Sequence, residues 1–155
     1  METTSDEGFR PLPSHYDHCF GCGREHPTGL HLQMEGGGRE VRGRFTVTGH
    51  HQGAPMLAHG GVIAAAMDEG MGYLLYLLRT PAVTGHLEVD YRAPVPVGAT
   101  LELRGVLEDV RGRKIHARMT GHIGETLAVE ARAIYIRVGL EHFRPGRGFD
   151  TPYNP

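Results

Sequence analysis

The fold is decided by one stretch of the sequence, HGGVIAAAMDEGMGYLLYLL, which covers residues 59–78. From Gly60 to Leu78 it is dominated by alanine, leucine and methionine, which favour helix, and Pro81 follows soon after and stops a helix. Apolar residues lie nearly all around this helix, whereas a surface helix has one polar face. The sequence therefore predicts one long helix that is buried inside the protein.

Segments before and after this helix alternate between apolar and polar residues, which is typical of half-buried strands. Short links that contain glycine join the last four segments, and such links favour antiparallel hairpins. A helix that is apolar on every side needs a sheet that curls around it. We therefore predict an α+β fold in which a curved antiparallel sheet wraps around one long buried helix. The predicted strands cover residues 30–35, 41–47, 83–91, 99–108, 113–122 and 126–138.

The length of 155 residues suits one domain. Residues 1–29 contain prolines and glycines without a sustained period, so we expect an irregular N-terminal segment. The domain itself is predicted over residues 30–138. Residues 139–155 are predicted to be a tail without a core of its own.

Composition narrows the class of protein. A net charge of -2 and a pI near 6.6 give no general attraction to nucleic acid or to an anionic membrane. The apolar run from Met71 to Leu78 is far shorter than the ~20 residues of a membrane span. The first eight residues are polar and acidic, unlike a signal peptide, so we expect a cytoplasmic protein.

The start of the helix carries two glycines in succession, Gly60 and Gly61, after His59. Glycine is unfavourable in a helix, so a pair suggests that something approaches the backbone closely. Helix N-termini present unpaired N–H groups and partial positive charge, which suit the polarisation of a carbonyl oxygen. The alternative is that the glycines only allow the preceding loop to pack tightly.

Asp68 interrupts the apolar part of the same helix. A buried carboxylate without a partner is costly, so such a residue usually has a function or a tight partner. For Asp68 we favour a function. Glu69 points about 100° away on the helix, and we expect it to be solvated or to lie in an interface.

These features resemble the PaaI-like hotdog-fold acyl-CoA thioesterases. The resemblance rests on His59-Gly60-Gly61, on Asp68 with Glu69, on Thr84, and on the segment from Val89 to Gly98. It covers roughly residues 30–138 by element order. The leader from Cys19 to Leu30 is similar to that of a subgroup of the family. The resemblance implies a hotdog fold, hydrolysis of acyl-CoA without a cofactor, and a homodimer or homotetramer.

Geometry suggests that one active site needs two subunits. Gly61 and Asp68 are seven residues apart, which is about 10 Å along a helix. Because one helix cannot easily place both around one thioester, we predict that residues 59–61 of one chain face Asp68 of another. In this scheme the Gly61 N–H polarises the carbonyl, and Gly60 contacts the substrate beside it. Asp68 acts either as a general base on water or as a nucleophile.

The remaining candidates would assist this chemistry. Thr84 would orient the water or Asp68, and His59 would either bond to the substrate or hold the loop. His86 is placed on the same strand face as Thr84 by the two-residue period, and it either lines the acyl pocket or is an ordinary packed or exposed histidine. Arg113, in the basic tip at residues 111–114, would bind the phosphates of coenzyme A unless that tip is simply a solvated turn. Arg92 is a fainter candidate for substrate binding, with Glu88 and Asp90 as possible salt partners.

The pair Cys19-x-x-Cys22 is half of a common zinc pattern, which His15, His18 or His26 could complete. Because the sequence has no second pair, we expect no metal site and favour a tight turn ordered by glycines.

Two other functions remain open on this fold. A non-catalytic acyl-CoA-binding module or sensor would not need the carboxylate of Asp68, and a hydratase or dehydratase would need a different Asp/His arrangement. The acyl group is not predicted from the sequence, nor is the choice between dimer and tetramer.

Overall fold

The computed structural model of this chain describes residues 8–143. It is a seven-stranded antiparallel sheet with one helical segment packed on its concave side, as predicted, and the sheet is open rather than closed. The strands are β1 (Arg10–Pro11), β2 (Gln33–Gly37), β3 (Glu40–Thr46), β4 (Ala82–Tyr91), β5 (Thr100–Arg111), β6 (Lys114–Ile123) and β7 (Thr126–Arg137). Their spatial order in the sheet is β1-β2-β3-β5-β6-β7-β4.

The core lies between the helix and the inner face of the sheet. Ile63, Met67 and Met71 on the helix are at most 2% exposed, as are Leu101, Leu103, Ile115 and Met119 on the strands that face them. Alternate residues of β5 to β7 turn outward, and these are mostly polar. Burial on one sheet face and one helix stripe is the arrangement that the alternating pattern predicts.

The helix differs from the prediction in two ways. It is broken into α1 (Gly60–Gly72) and α2 (Leu74–Leu78), with Tyr73 between them, and it ends at Arg79 in a left-handed conformation. Glycines at 70 and 72 weaken helix propensity just before the break. The helix is also buried on one side only, since residues such as Ala65, Leu75 and Leu78 are half-buried.

By length and apolarity alone, the 19-residue stretch Gly60–Leu78 would suffice to cross a membrane. In this structure its Ile63, Met67 and Met71 belong to the core cluster shared with the sheet.

The link between β4 and β5 is not a hairpin, contrary to expectation. β4 pairs with β7 at the edge of the sheet, whereas β5 lies between β3 and β6. The intervening segment instead bonds to the loop before α1: Ala58 N–H donates to Val95 O (2.8 Å), and Val97 N–H donates to Met56 O (2.9 Å). Prolines at 94 and 96 lack the N–H groups that a hairpin ladder requires. The two later hairpins are present, with Gly112 and Gly124 at positive φ in their turns.

The N-terminal segment packs on the domain. Leu30 and Leu32 are buried, and their N–H groups donate to the carbonyls of Phe20 and Gly21. At the other end, residues 140–143 form a short 3-10 turn. The predictions for residues 1–7 and for the tail beyond 143 fall outside the described residues.

Candidate active site

The start of α1 is capped by a side chain. His59 accepts a hydrogen bond at Nδ1 from the Gly61 N–H (2.9 Å), and its carbonyl accepts from Val62 and Ile63. Within residues 8–143, the Gly60 N–H has no acceptor. The Tyr91 hydroxyl donates to the Gly60 carbonyl at 2.6 Å, which ties the helix start to the end of β4. One exposed N–H, that of Gly60, is therefore left for a ligand.

Asp68 lies eight residues after Gly60 on α1, and its carboxylate accepts hydrogen bonds from two hydroxyl groups. The Thr84 hydroxyl is 2.9 Å from Oδ1 and 3.2 Å from Oδ2. The Tyr135 hydroxyl is 3.1 Å from Oδ1 and 2.7 Å from the Asp68 carbonyl. Burial and the neighbouring negative charge of Asp68 hold the pKa of Tyr135 well above its ordinary value, so it remains a donor at neutral pH.

Asp68 opens on a small cavity of about 230 Å³. Two larger grooves, of about 710 and 890 Å³, lie elsewhere and do not include Asp68. The residues that line the small cavity include Asp68 and Glu69 from α1, Thr84 and Tyr135 from β4 and β7, and His15. This volume falls below that of a typical pocket for a ligand as large as coenzyme A.

His86 does not share a face with Thr84, so that prediction is wrong. Gly85 is an extra residue in β4: Thr84 pairs with Tyr135, and His86 pairs with the next residue, Ile134. The bulge reverses the alternation, so Thr84 faces the helix while His86 faces outward beside Glu88, at 3.9 Å. A Cβ at position 85 would lie 2.7 Å from Ile136 Cγ1, which explains the glycine. An isolated glycine inside a strand is the signal that could have revealed the bulge.

The two arginine candidates, Arg113 and Arg92, lie near opposite ends of the sheet, close to the start and to the end of β4 respectively. Arg113 is at the β5–β6 hairpin tip and donates to the Arg137 carbonyl (3.2 Å), and Arg137 pairs with Ala82 at the start of β4. Arg113 is therefore at the same end of the sheet as Thr84. Arg92 follows β4 and pairs with Glu130 (3.0 Å) and Asp90 (3.8 Å).

Two tyrosines at the site were missed from the sequence. Tyr135 and Tyr91 contact residues 67 and 31 positions away. The two-residue period places Tyr135 on the inner face of a predicted strand, but only the pairing of β7 with β4 places it beside Asp68.

Glu69 belongs to a second group of side chains. Its carboxylate is 3.4 Å from His15 Nδ1 and 3.6 Å from Cys19 Sγ. Cys22 Sγ is 3.2 Å from the same His15 nitrogen, and both cysteines are free thiols. Burial raises the pKa of Glu69, whereas hydrogen bonding from Cys19 lowers the pKa of Cys22 despite its burial. The predicted tight turn is present, with the Gly23 N–H bonded to the Cys19 carbonyl (2.8 Å).

Comparisons with known proteins point to one family. The family model described as thioesterase superfamily matches residues 57–130. The acyl-coenzyme A thioesterase THEM4 of Xenopus laevis is 32% identical over 89 residues, which is 56% of this chain and 40% of that protein. The chain thus spans less than half the length of that curated relative.

Solved structures agree on the fold. The crystal structure of RHA08564, a thioesterase superfamily protein, has a TM-score of 0.72 at 29% identity and covers 77% of this chain and 60% of that one. The E. coli PaaI protein from the phenylacetic acid degradation operon has a TM-score of 0.66 at 17% identity, over 71% of this chain and 81% of that one. At that identity the likeness to PaaI concerns the fold alone.

Proposed function

We propose that this chain is a thioesterase-superfamily protein with the hotdog fold of PaaI-like members, and that it hydrolyses acyl-CoA thioesters to a free acid and coenzyme A. The observation that carries the proposal is the carboxylate of Asp68, which hydroxyl donors hold at the edge of a cavity. The curated relative above is named an acyl-coenzyme A thioesterase, which supports the substrate class.

Asp68 supplies the reactive group. Thr84 and Tyr135 donate to its carboxylate, so they stabilise the anion and fix its direction. The carboxylate can take a proton from water as that water attacks the carbonyl carbon, or it can attack that carbon itself and form a mixed anhydride that water then opens. Both routes release coenzyme A as a thiol and use the same donors.

We assign the donor that stabilises the oxyanion to Gly60. The Gly61 N–H, which was predicted for this role, is occupied by the His59 side chain, whereas the Gly60 N–H has no acceptor among the described residues. His59 then acts as the cap that shapes the helix start, which supports the second of its two predicted roles. An N–H at the positive end of a helix suits a developing negative charge on the thioester oxygen.

A second copy of the chain completes the site in this proposal. Gly60 and Asp68 are eight residues apart, about 12 Å along α1, so they cannot both touch one thioester from the same helix. β4 is an edge strand of ten residues, with β7 on one side. Two copies of β4 could pair antiparallel about a two-fold axis at Leu87 or at Glu88. Because Gly85 is a bulge and is skipped in the register, the first axis places Thr84 opposite Val89 of the other copy, and the second places it opposite Tyr91. Because Tyr91 contacts Gly60 and Thr84 contacts Asp68, this pairing joins the two half-sites.

Arg113 supports binding of the coenzyme A portion. It lies two strands from Thr84 at the same end of the sheet, which is about 10 Å at the usual strand spacing. Arg92 is paired with two carboxylates, so we give it no role in phosphate binding.

The test of the activity is release of free thiol from a panel of short, long and aryl acyl-CoAs. We expect turnover by the wild-type protein, a loss of about 10²–10⁴ in kcat for Asp68→Asn, and no change for Glu125→Gln, which removes one carboxylate in the β6–β7 turn. Flat traces for the wild type on every substrate, with acyl-CoA binding retained, would identify a non-catalytic binding module instead.

The shared site is tested by mixing two inactive variants. Asp68→Asn and Gly60→Pro subunits that re-associate at random should recover about a quarter of wild-type activity, because half of the dimers are mixed and each mixed dimer has one intact site. A site built within one chain would recover nothing.

A further inference from the structure

A cluster of four potential metal ligands lies beside the active-site cavity. It consists of His15, Cys19 and Cys22 from the N-terminal segment and Glu69 from α1. One donor atom from each lies within 4.8 Å of every other, and His15 and Glu69 also line the cavity that contains Asp68. We call this group the Cys-His-Glu cluster.

Three separations within the cluster are close to those between neighbouring ligands of a tetrahedral metal site. With zinc–ligand distances of about 2.0–2.3 Å, neighbouring N, O and S ligands at the corners of a tetrahedron are about 3.3–3.8 Å apart. The observed values are 3.2 Å between Cys22 Sγ and His15 Nδ1, 3.4 Å between His15 Nδ1 and a Glu69 oxygen, and 3.6 Å between Cys19 Sγ and the other Glu69 oxygen. The other separations are at most 4.8 Å, so the four side chains can converge on one ion by side-chain movement of about 1 Å.

The backbone around the cluster is shaped to bring these ligands together. A Cβ at Gly21 would overlap the side chain of Glu69 in its present position, so glycine lets the loop between the cysteines lie directly against that carboxylate. A Cβ at Gly23 would collide with the backbone of Asp17 and Cys19. The two cysteines therefore lie close to the carboxylate of Glu69, whose side chain is only 18% exposed.

The chemistry of this donor set suits a divalent cation. Two sulfur atoms and a carboxylate share a half-buried space, and a buried carboxylate is unfavourable unless it is paired or coordinates a metal. Protonated His15 supplies one positive charge at most, whereas a divalent ion would neutralise two ligands at once.

We propose that the Cys-His-Glu cluster binds one Zn²⁺ ion as a closed, four-coordinate structural site that fastens the N-terminal segment to α1 next to Asp68. Zinc suits a mixture of thiolate, imidazole and carboxylate ligands in tetrahedral geometry, and four protein ligands leave no open position for chemistry. As zinc binds, each thiol loses its proton to solvent and no electrons are transferred.

The expectation of no metal rested on the missing second cysteine pair. The other two ligands are single residues, one of them 47 positions beyond Cys22, and no spacing rule would select Glu69 from the sequence. The inference does not depend on thioester hydrolysis, because it concerns a site with four protein ligands and its own spectroscopic signature.

The first test is the metal content of wild-type protein purified with added zinc and then dialysed against metal-free buffer. One zinc ion per chain is expected, with both thiols protected from a thiol-reactive dye until a strong chelator is added. Protein that retains no zinc, or in which the two cysteines form a disulfide under reducing-buffer purification, would overturn the proposal.

The second test replaces zinc with Co²⁺ in the wild-type protein. Thiolate-to-cobalt charge-transfer bands and strong visible bands of tetrahedral cobalt are expected; a weak, octahedral spectrum without charge transfer would contradict the site. Cys22→Ser and Glu69→Gln should each weaken Co²⁺ binding at least tenfold, while His18→Ala should not, because His18 is half-exposed and pairs with Glu25 instead. Equal affinity for Glu69→Gln and wild type would remove Glu69 from the site.

Discussion

The assignment of the Gly60 N–H can be tested by a substitution that deletes this donor and little else. Gly60 is the first residue of α1, a position where proline is favoured because its missing N–H has no helical partner. The residue before it, His59, has φ -64° and ψ 133°, which is the extended conformation that proline requires of its neighbour. Gly60→Pro should therefore keep the helix and the carbonyl that accepts from Tyr91, while it removes the N–H.

The expected cost follows from the loss of one donor to the oxyanion. Such a loss lowers kcat by about 10²–10³, or about 2.7–4 kcal/mol of transition-state stabilisation. Gly60→Ala is the matched control, because it keeps the N–H and its Cβ would lie 3.5 Å from the Tyr91 hydroxyl, an ordinary contact. Thiol release under substrate saturation gives kcat, and the thermal unfolding midpoint reports whether the fold is intact. If Gly60→Pro melts like the wild type and its kcat stays within threefold of Gly60→Ala, the reasoning about this donor is refuted.

Three further predictions concern residues around the cavity. Thr84→Val keeps the side-chain shape but removes a hydrogen bond to a charged group, so kcat should fall about tenfold or somewhat more, whereas Thr84→Ser should stay near wild type; equal losses would point to packing. The pKa of Tyr135 is raised in the folded state, so above about pH 10 this tyrosine loses its proton in the unfolded chain but keeps it in the folded protein. The free energy of unfolding should therefore decline above about pH 10. Tyr135→Phe should flatten that decline in pH-dependent melts, and an unchanged slope would mean that other groups control it. Arg113→Ala should raise KM for acyl-CoA more than it lowers kcat, and a matching change with a substrate that lacks the nucleotide would exclude phosphate contact.

The parts of the fold that depend on local pattern could be predicted from the sequence. The alternation of residues 101, 103 and 107 predicted a strand with one buried face, and β5 has that face. Asp68 was identified because it interrupts an apolar helix, and the structure places it on a cavity with Thr84.

The remaining parts depend on contacts between distant segments. The pairing of β4 with β7 is set by tertiary packing, and no local link specifies it. A single extra residue, Gly85, reverses which side chains face the helix, and a period of two cannot show such a shift. Tyr135 and Glu69 gain their partners only when that register and the path of the N-terminal segment are known.

The short outer strand of the sheet sets a limit on how far the sheet can grow by association. β1 has only two residues, Arg10 and Pro11, and proline has no N–H group to donate to another strand. In the proposed dimer joined along β4, the outer strand at each end of the described sheet is β1, which offers only two residues to a third chain. Assembly of the described strands would then stop at two copies, and the pairing proposed to join the half-sites would also cover the ten-residue edge strand β4.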